Sequence, residues 1–168
     1  MRRFLTKTMA LSLLLLLSLP AARAEWNQLG TNRIVFATNW GPGGEIDIYS
    51  MNPDGSDLKN LTGDYDANAV APVISPDGTK IAFRGYLSGN KELWYMNSDG
   101  SGKTQVTSKS QGNWSVGAPG WFDNDTLIYN FGYNGDPGGM SKIYTIDIDG
   151  TNDGVFIDMN GQGPDIST

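Results

Sequence analysis

Trp40, Tyr65, Tyr86, Trp114 and Tyr133 are the side chains of this 168-residue sequence best suited to holding a ligand. Each sits in a stretch rich in Gly, Asn, Asp or Ser, outside the strongest apolar runs. Flat rings offer apolar faces for stacking against sugar rings or a partner's side chains, and the neighbouring Asn and Asp supply hydrogen bonds. The competing reading is that each ring folds back over its own glycine-rich hairpin. Covalent and metal chemistry find less support. The chain has no Cys and no His, which excludes thiolate chemistry, Cys/His zinc sites, His-ligated haem and any Ser-His-Asp or Cys-His machinery within it. Asp147-x-Asp149-Gly150 with Asp153, and Asp54-Gly55-Ser56-Asp57, have oxygen-ligand spacing reminiscent of calcium loops, but both lack the full Asp-x-Asp-x-Asp-Gly run and its closing Glu. Turn aspartates that hydrogen-bond their own backbone account for them better, so no metal is assigned. Asp64 and Asp66 are a carboxylate pair of the type that does acid–base work on glycans. With 18 acidic residues in the chain the pairing carries little weight, and neither a catalytic residue nor a cofactor is assigned.

The elements that would hold these rings are announced by a repeat. Asp47-Ile48-Tyr49-Ser50-Met51-Asn52-Pro53-Asp54-Gly55 recurs as Glu92-Leu93-Trp94-Tyr95-Met96-Asn97-Ser98-Asp99-Gly100, and again as Lys142-Ile143-Tyr144-Thr145-Ile146-Asp147-Ile148-Asp149-Gly150. Each copy is an apolar, aromatic-rich strand ending in Asp-Gly, a strong turn signal because glycine accepts the positive φ the turn requires. Between the copies, Pro72-Val73-Ile74-Ser75 leads through Pro76-Asp77-Gly78-Thr79 into Ile81-Ala82-Phe83, and Pro119-Gly120-Trp121-Phe122 leads through Asp123-Asn124-Asp125 into Leu127-Ile128-Tyr129. Pro164-Asp165-Ile166-Ser167 starts the same unit again. Weaker strands follow each Asp-Gly, at Leu61-Thr62, Val106-Thr107 and Val155-Phe156-Ile157. The unit is four short strands, A to D, in about 45 residues, which is the pattern of a β-propeller blade. Trp94 and Trp121 fall in strands and are expected in the core. Parity puts the tight Asp-Gly turns on one rim and the B–C and D–A loops, with the five aromatics, on the other.

Ser75-Pro76-Asp77-Gly78-Thr79-Lys80-Ile81-Ala82-Phe83, followed by Leu93-Trp94-Tyr95-Met96-Asn97 and Asp99-Gly100, resembles the TolB-like, WD-like propeller repeat. The resemblance extends from about Arg33 to Ser167. It implies an all-β propeller of four-stranded antiparallel blades, here incomplete, with about three blades and twelve strands. Blade boundaries are expected near 33–69, 70–116 and 117–163, with a further repeat starting at 164–168. The resemblance also implies a role in protein interaction, as in the periplasmic Tol-Pal envelope system. Similar blades occur in prolyl-peptidase-type enzymes and pectin-degrading lyases. Two departures stand out: residues 25–32 are only a short lead-in where TolB-like proteins carry an α/β domain, and three blades replace the usual six. The chain is therefore expected either to be a piece of a longer propeller or to pair with a second copy as a homodimer that completes the ring.

Residues 1–24 read as a secretory signal peptide. Arg2, Arg3 and Lys7 precede the apolar run from Met9 to Leu19, Pro20 breaks it, and Ala22-Arg23-Ala24 fits a cleavage site. Cleavage would remove four basic residues, leaving eight against 18 acids, a net charge of −10. Such a surface repels nucleic acid and anionic lipid, so neither nucleic acid nor, after cleavage, a membrane is expected as partner. The expectation is a periplasmic or extracellular module that binds a protein partner or a glycan through the aromatic rim. The alternative is a fragment of a propeller-containing enzyme, a polysaccharide lyase or prolyl-peptidase-type hydrolase, whose catalytic residues lie elsewhere.

Overall fold

A computed structural model describes residues 32–40, 43–133 and 142–157, apart from the side chains of Ser88 and Tyr133. The signal peptide, most of the lead-in and the repeat start at 164–168 lie outside the described residues. Three antiparallel sheets follow one another along the chain. Blade 1 holds β1 (Ile34–Thr38), β2 (Asp47–Met51) and β3 (Lys59–Asn60). Blade 2 holds β4 (Ala69–Ile74), β5 (Lys80–Gly85), β6 (Glu92–Asn97) and β7 (Thr104–Gln105). Blade 3 holds β8 (Trp114–Trp121), β9 (Thr126–Tyr133), β10 (Lys142–Asp147) and β11 (Gly154–Ile157). Among the described residues a single 3₁₀ turn, Leu87–Gly89, interrupts the β pattern.

Alternation along each strand decides which face meets which neighbour. Ile81 pairs with Met96 and Phe83 with Trp94, and this face packs against Ile48, Leu61 and Val35 of blade 1. The opposite face of blade 2, with Ala82, Leu93 and Val106, packs against Val116, Leu127, Tyr129 and Ile146 of blade 3. Trp94 and Trp121 are half-buried, and Trp121 Nε1 donates to the Val73 carbonyl across the interface at 3.0 Å. The described blades therefore share two interblade cores, in each of which one sheet shields the facing surface of the next, as expected of a modular array.

The two A strands are longer than the sequence pattern suggests. Pairing between β4 and β5 shifts between Val70 and Val73, where Ala71 has φ 53°. Pairing between β8 and β9 shifts between Val116 and Pro119. A bulge beside each proline lets the strand continue N-terminally past a residue with no N–H to donate. Trp114 thus begins β8 instead of lying on a D–A loop, which corrects its expected placement.

Candidate functional site

The long-loop rim is stitched by backbone contacts between B–C and D–A segments. Ile46 N–H donates to Asn68 Oδ1 at 2.6 Å, and Tyr86 N–H donates to the Asn68 carbonyl at 3.0 Å. Beneath the rim lie two buried carboxylates at equivalent repeat positions. Thr62 Oγ1 donates to Asp47 at 2.9 Å while accepting Ile48 N–H, and Asn60 Nδ2 donates to the other Asp47 oxygen at 2.8 Å. In the next blade Thr107 Oγ1 donates to Glu92 and accepts Leu93 N–H, while Ser110 N–H donates to the second Glu92 oxygen. These acids lock the start of the C strand to the end of the D strand, each carboxylate oxygen accepting a hydrogen bond from its own repeat. The signal was available in the sequence, as an acid opening two of the three C-strand copies and a Thr after each matching D strand.

Each blade also carries a stacked pair of rings at matching B and C positions. Phe36 pairs with Tyr49, Phe83 with Trp94 and Tyr129 with Tyr144. Their centroids are 6.0, 6.5 and 5.6 Å apart, with interplanar angles of 21°, 22° and 26°. What lies over the pair differs in each blade, and this sorts the five expected ligand-binding rings.

Tyr65 covers the pair of blade 2, edge-on to Phe83 at 5.8 Å and to Trp94 at 5.3 Å. Gly85 makes room for it, because a Cβ there would overlap the Tyr65 hydroxyl and the Trp94 ring. Burial pushes the Tyr65 phenol up to about 12, with the Leu87 backbone opposing. The ring reaches across to the next repeat and is spent on covering its core. Tyr86 is on the B–C loop as expected, its hydroxyl accepting from Arg84 at 2.9 Å and its ring flanked by the Arg84 guanidinium at 5.3 Å and the Lys91 ammonium at 5.8 Å. Trp114 stacks on Phe131 at 5.6 Å. Tyr133 ends β9, and its side chain lies outside the description. Trp40 leans edge-on against Phe36 and Tyr49, at 5.6 and 6.1 Å, and remains 66% exposed. The rings are thus distributed blade by blade, and of the four whose side chains are described Trp40 has the most surface open.

Blade 3 contains a group that sequence reasoning missed. Lys109, from the preceding D–A loop, places its ammonium 4.2 Å from the Tyr144 centroid, 4.9 Å from Phe131 and 5.2 Å from Tyr129. The same nitrogen donates to Tyr129 Oη at 2.8 Å and pairs with Asp153 at 2.7 Å, and Tyr129 Oη donates to Asp153. Burial and the Asp153 carboxylate together push the Tyr129 phenol far up. Phe131 alternates with Tyr129 along β9, so the pattern was visible. The lysine was not, because its loop has no counterpart residue of that type in blade 2.

The acidic turns serve themselves. Asp54, Asp99 and Asp149 each accept from the N–H and hydroxyl of the Ser or Thr two residues on, and Asp77 does the same with Thr79. Among the described residues no group of three or more acidic side chains is arranged to hold a metal ion. Asp64 pairs with Lys103 at 2.6 Å, a hydrogen bond that holds its carboxyl below the usual range, so Asp64 is no proton donor near neutral pH. A shallow cavity of about 280 Å³ lies between Glu45, Asp47, Asn60, Tyr65 and Asp66.

No family model matches the chain. It is 34% identical over 122 residues to a "Protein TolB homolog" of Chlorobium luteolum and 40% identical over 119 residues to that of Chlorobaculum tepidum. Those stretches are 73% and 71% of this chain but 25% of each relative. The chain spans about a quarter of the length of the curated relatives it matches. Among solved structures, a putative TolB from Agrobacterium tumefaciens superposes with a TM-score of 0.62 at 22% identity, covering 78% of this chain and 47% of that one. An oligogalacturonate lyase in complex with manganese superposes with a TM-score of 0.57 at 12% identity, covering 77% and 37%. At these identities the structural neighbours show a shared fold, found in binding proteins and enzymes alike.

Proposed function

We propose that this chain, whose repeats form TolB-like β-propeller blades, is an exported binding module that engages a protein partner or a glycan through its long-loop rim. The observation that carries the reading is Trp40, a large aromatic ring held two-thirds exposed on that rim by contacts with Phe36 and Tyr49. Exposed aromatics fixed by their own neighbours lose little entropy on binding and are over-represented at recognition hot spots. The buried carboxylates are occupied by structural hydrogen bonds, which favours binding over acid–base catalysis. Export to the periplasm rests on the N-terminal pattern of Arg2, Arg3 and Lys7 before the apolar run. The similarity to TolB homologues supports a protein as the partner, and pairing with a second copy is a further form that this reading admits.

A photo-crosslinking residue at position 40, compared with one at position 54 on the tight-turn rim, tests the reading in an envelope extract and on a glycan array. Capture through position 40 that is lost on adding unlabelled chain is expected. Specific capture confined to position 54 would overturn it.

A further inference from the structure

We infer that Arg84 and Tyr86, with Lys91 beside them, hold a carboxylate of a partner protein at the junction of blades 2 and 3. The inference rests on the reading of the long-loop rim as a binding surface and names the chemistry of what binds.

The observation is positive charge left over. Among the described residues, Arg33, Lys59, Lys80, Lys103 and Lys109 each lie within ion-pair distance of an aspartate. Arg84 and Lys91 meet no carboxylate among the described residues, in a chain that has 18 acids. Both instead approach one ring, Tyr86, with the Arg84 guanidinium 5.3 Å and the Lys91 ammonium 5.8 Å from its centroid. The acid nearest in sequence, Glu92, accepts from Thr107 on one oxygen and from Ser110 on the other. The corner lies inside the described array. Arg84 alternates with Ala82 along β5 and pairs with Leu93, and both of those residues pack in the core between blades 2 and 3. Blade 2 has a sheet on each side, so the corner does not belong to an end face of the array.

The groups gathered there are donors. Arg84 Nη2 donates to Tyr86 Oη at 2.9 Å, which leaves the phenol its own proton to donate. Arg84 Nη1 makes no hydrogen bond among the described residues, and Nε is buried without a partner. A guanidinium partly shut off from water and without a counter-charge is poorly screened, so an anion beside it gains more than beside a fully solvated arginine. A carboxylate meets this arrangement, one oxygen accepting from Arg84 Nη1 and the other from the Tyr86 hydroxyl. Lys91 adds attraction without having to touch the ligand. A cavity of about 130 Å³ opens beside Lys91, lined by Asn90, Ser110, Gly112, Trp114 and Ser115 and by no acidic side chain. Trp114 in its wall and Leu87 on the same B–C loop as Asn90 are each 41% exposed, which gives apolar surface to the side chains that flank the carboxylate. The chain's overall negative charge repels a strongly acidic partner. The corner therefore selects one carboxylate in an otherwise neutral or apolar segment.

The test titrates the full chain with acetyl-Gly-Leu-Glu-Leu-Gly-amide and with the same peptide carrying glutamine for glutamate, reading the Arg84 Nε–H resonance and the backbone amide of residue 86. A saturable shift with the glutamate peptide and none with the glutamine peptide is expected. Acetyl-Gly-Leu-Gln-Leu-Gly with a free C-terminus is the arm for a terminal carboxylate, and a response to it in place of the glutamate peptide assigns the corner to a chain end. Arg84→Lys keeps the charge and loses the planar head, and should weaken binding about tenfold; Tyr86→Phe should weaken it about fivefold and Lys91→Gln about threefold. No saturable shift, equal shifts with the glutamine amide, or undiminished binding by both Arg84→Lys and Tyr86→Phe overturns the inference. So does a response to a glucuronic acid oligosaccharide without one to either peptide carboxylate. Specific capture through position 40 with no carboxylate response would leave the binding-module reading standing while this inference falls.

Discussion

Tyr65 shows how one residue type can serve either of two opposed ends. On sequence it is a loop aromatic beside two acids, a plausible ligand platform. In the fold it is a lid over Phe83 and Trp94, seated where Gly85 has no side chain. Its hydroxyl is buried, and the Leu87 backbone approaches it without a hydrogen bond of full geometry; a poorly paired buried hydroxyl costs stability. Tyr65→Phe should therefore leave the thermal midpoint unchanged or raise it, while Tyr65→Ala should cost about 2 kcal/mol by opening the core. A large loss in the Phe variant would show that the hydroxyl is satisfied after all. The sign of the alkaline effect also follows. The phenol is raised to about 12 from 10.0, so its contribution is whole below pH 10.0 and drains as pH rises toward about 12. Base-induced unfolding in that window should be shallower in Tyr65→Phe, read by far-ultraviolet circular dichroism. Gly85 carried the discriminating signal, but a glycine closing a strand has many causes, and its particular one is visible only once Tyr65 and Trp94 lie beside it.

Elements were easier to read from the sequence than were their ends. The C strands and their Asp-Gly turns announce themselves because turn chemistry is local: an aspartate accepts from the residue two ahead, and a glycine takes the positive φ. The A strands were half hidden, since a bulge at Ala71 or before Pro119 interrupts the alternation that marks a strand and so moves Trp114 from loop to sheet. Within the turns, two glycines of one motif should respond differently. Gly55 has φ 84° and open space, whereas Gly100 has φ 93° and a Cβ there would lie 2.9 Å from the Leu61 carbonyl oxygen. Gly55→Ala should cost about 1 kcal/mol from backbone strain, and Gly100→Ala about 1 kcal/mol more, because the packed D strand must move. Equal losses in chemical denaturation would show that the turn, not its packing, sets the cost. The turns also impose an acid limit. The Ser75 hydroxyl, then the Thr79 backbone, hold Asp77 down at about 2 from 3.8. This contribution is present above pH 3.8 and lost as pH falls through about 2. Asp77→Asn should flatten that part of the acid profile.

At the scale of the whole molecule, stability must be uneven. Blade 2 has a neighbour on each face, while among the described residues the outer faces of blades 1 and 3 meet none. Ile34 and Trp40 are 42% and 66% exposed at one end, and Phe122, Phe156 and Ile157 are 57%, 37% and 39% exposed at the other. In a modular array each unit is held by its own contacts plus those of its interfaces, so a unit with one interface opens more readily than a unit with two. Amide exchange at low concentration should then be slowest at Ile81–Phe83 and Leu93–Met96. It should be at least tenfold faster in β1, β2 and β11, although the hydrogen-bond ladders are of the same kind. Protection that is equal in all three blades would mean that the array opens as one body, and that the interfaces rather than the sheets set its cohesion. Raising the chain concentration separates the occupants of the outer faces. If copies stack through their apolar ends, protection in β1 and β11 rises with concentration while blade 2 stays constant. If copies do not stack, concentration leaves β1 and β11 unchanged.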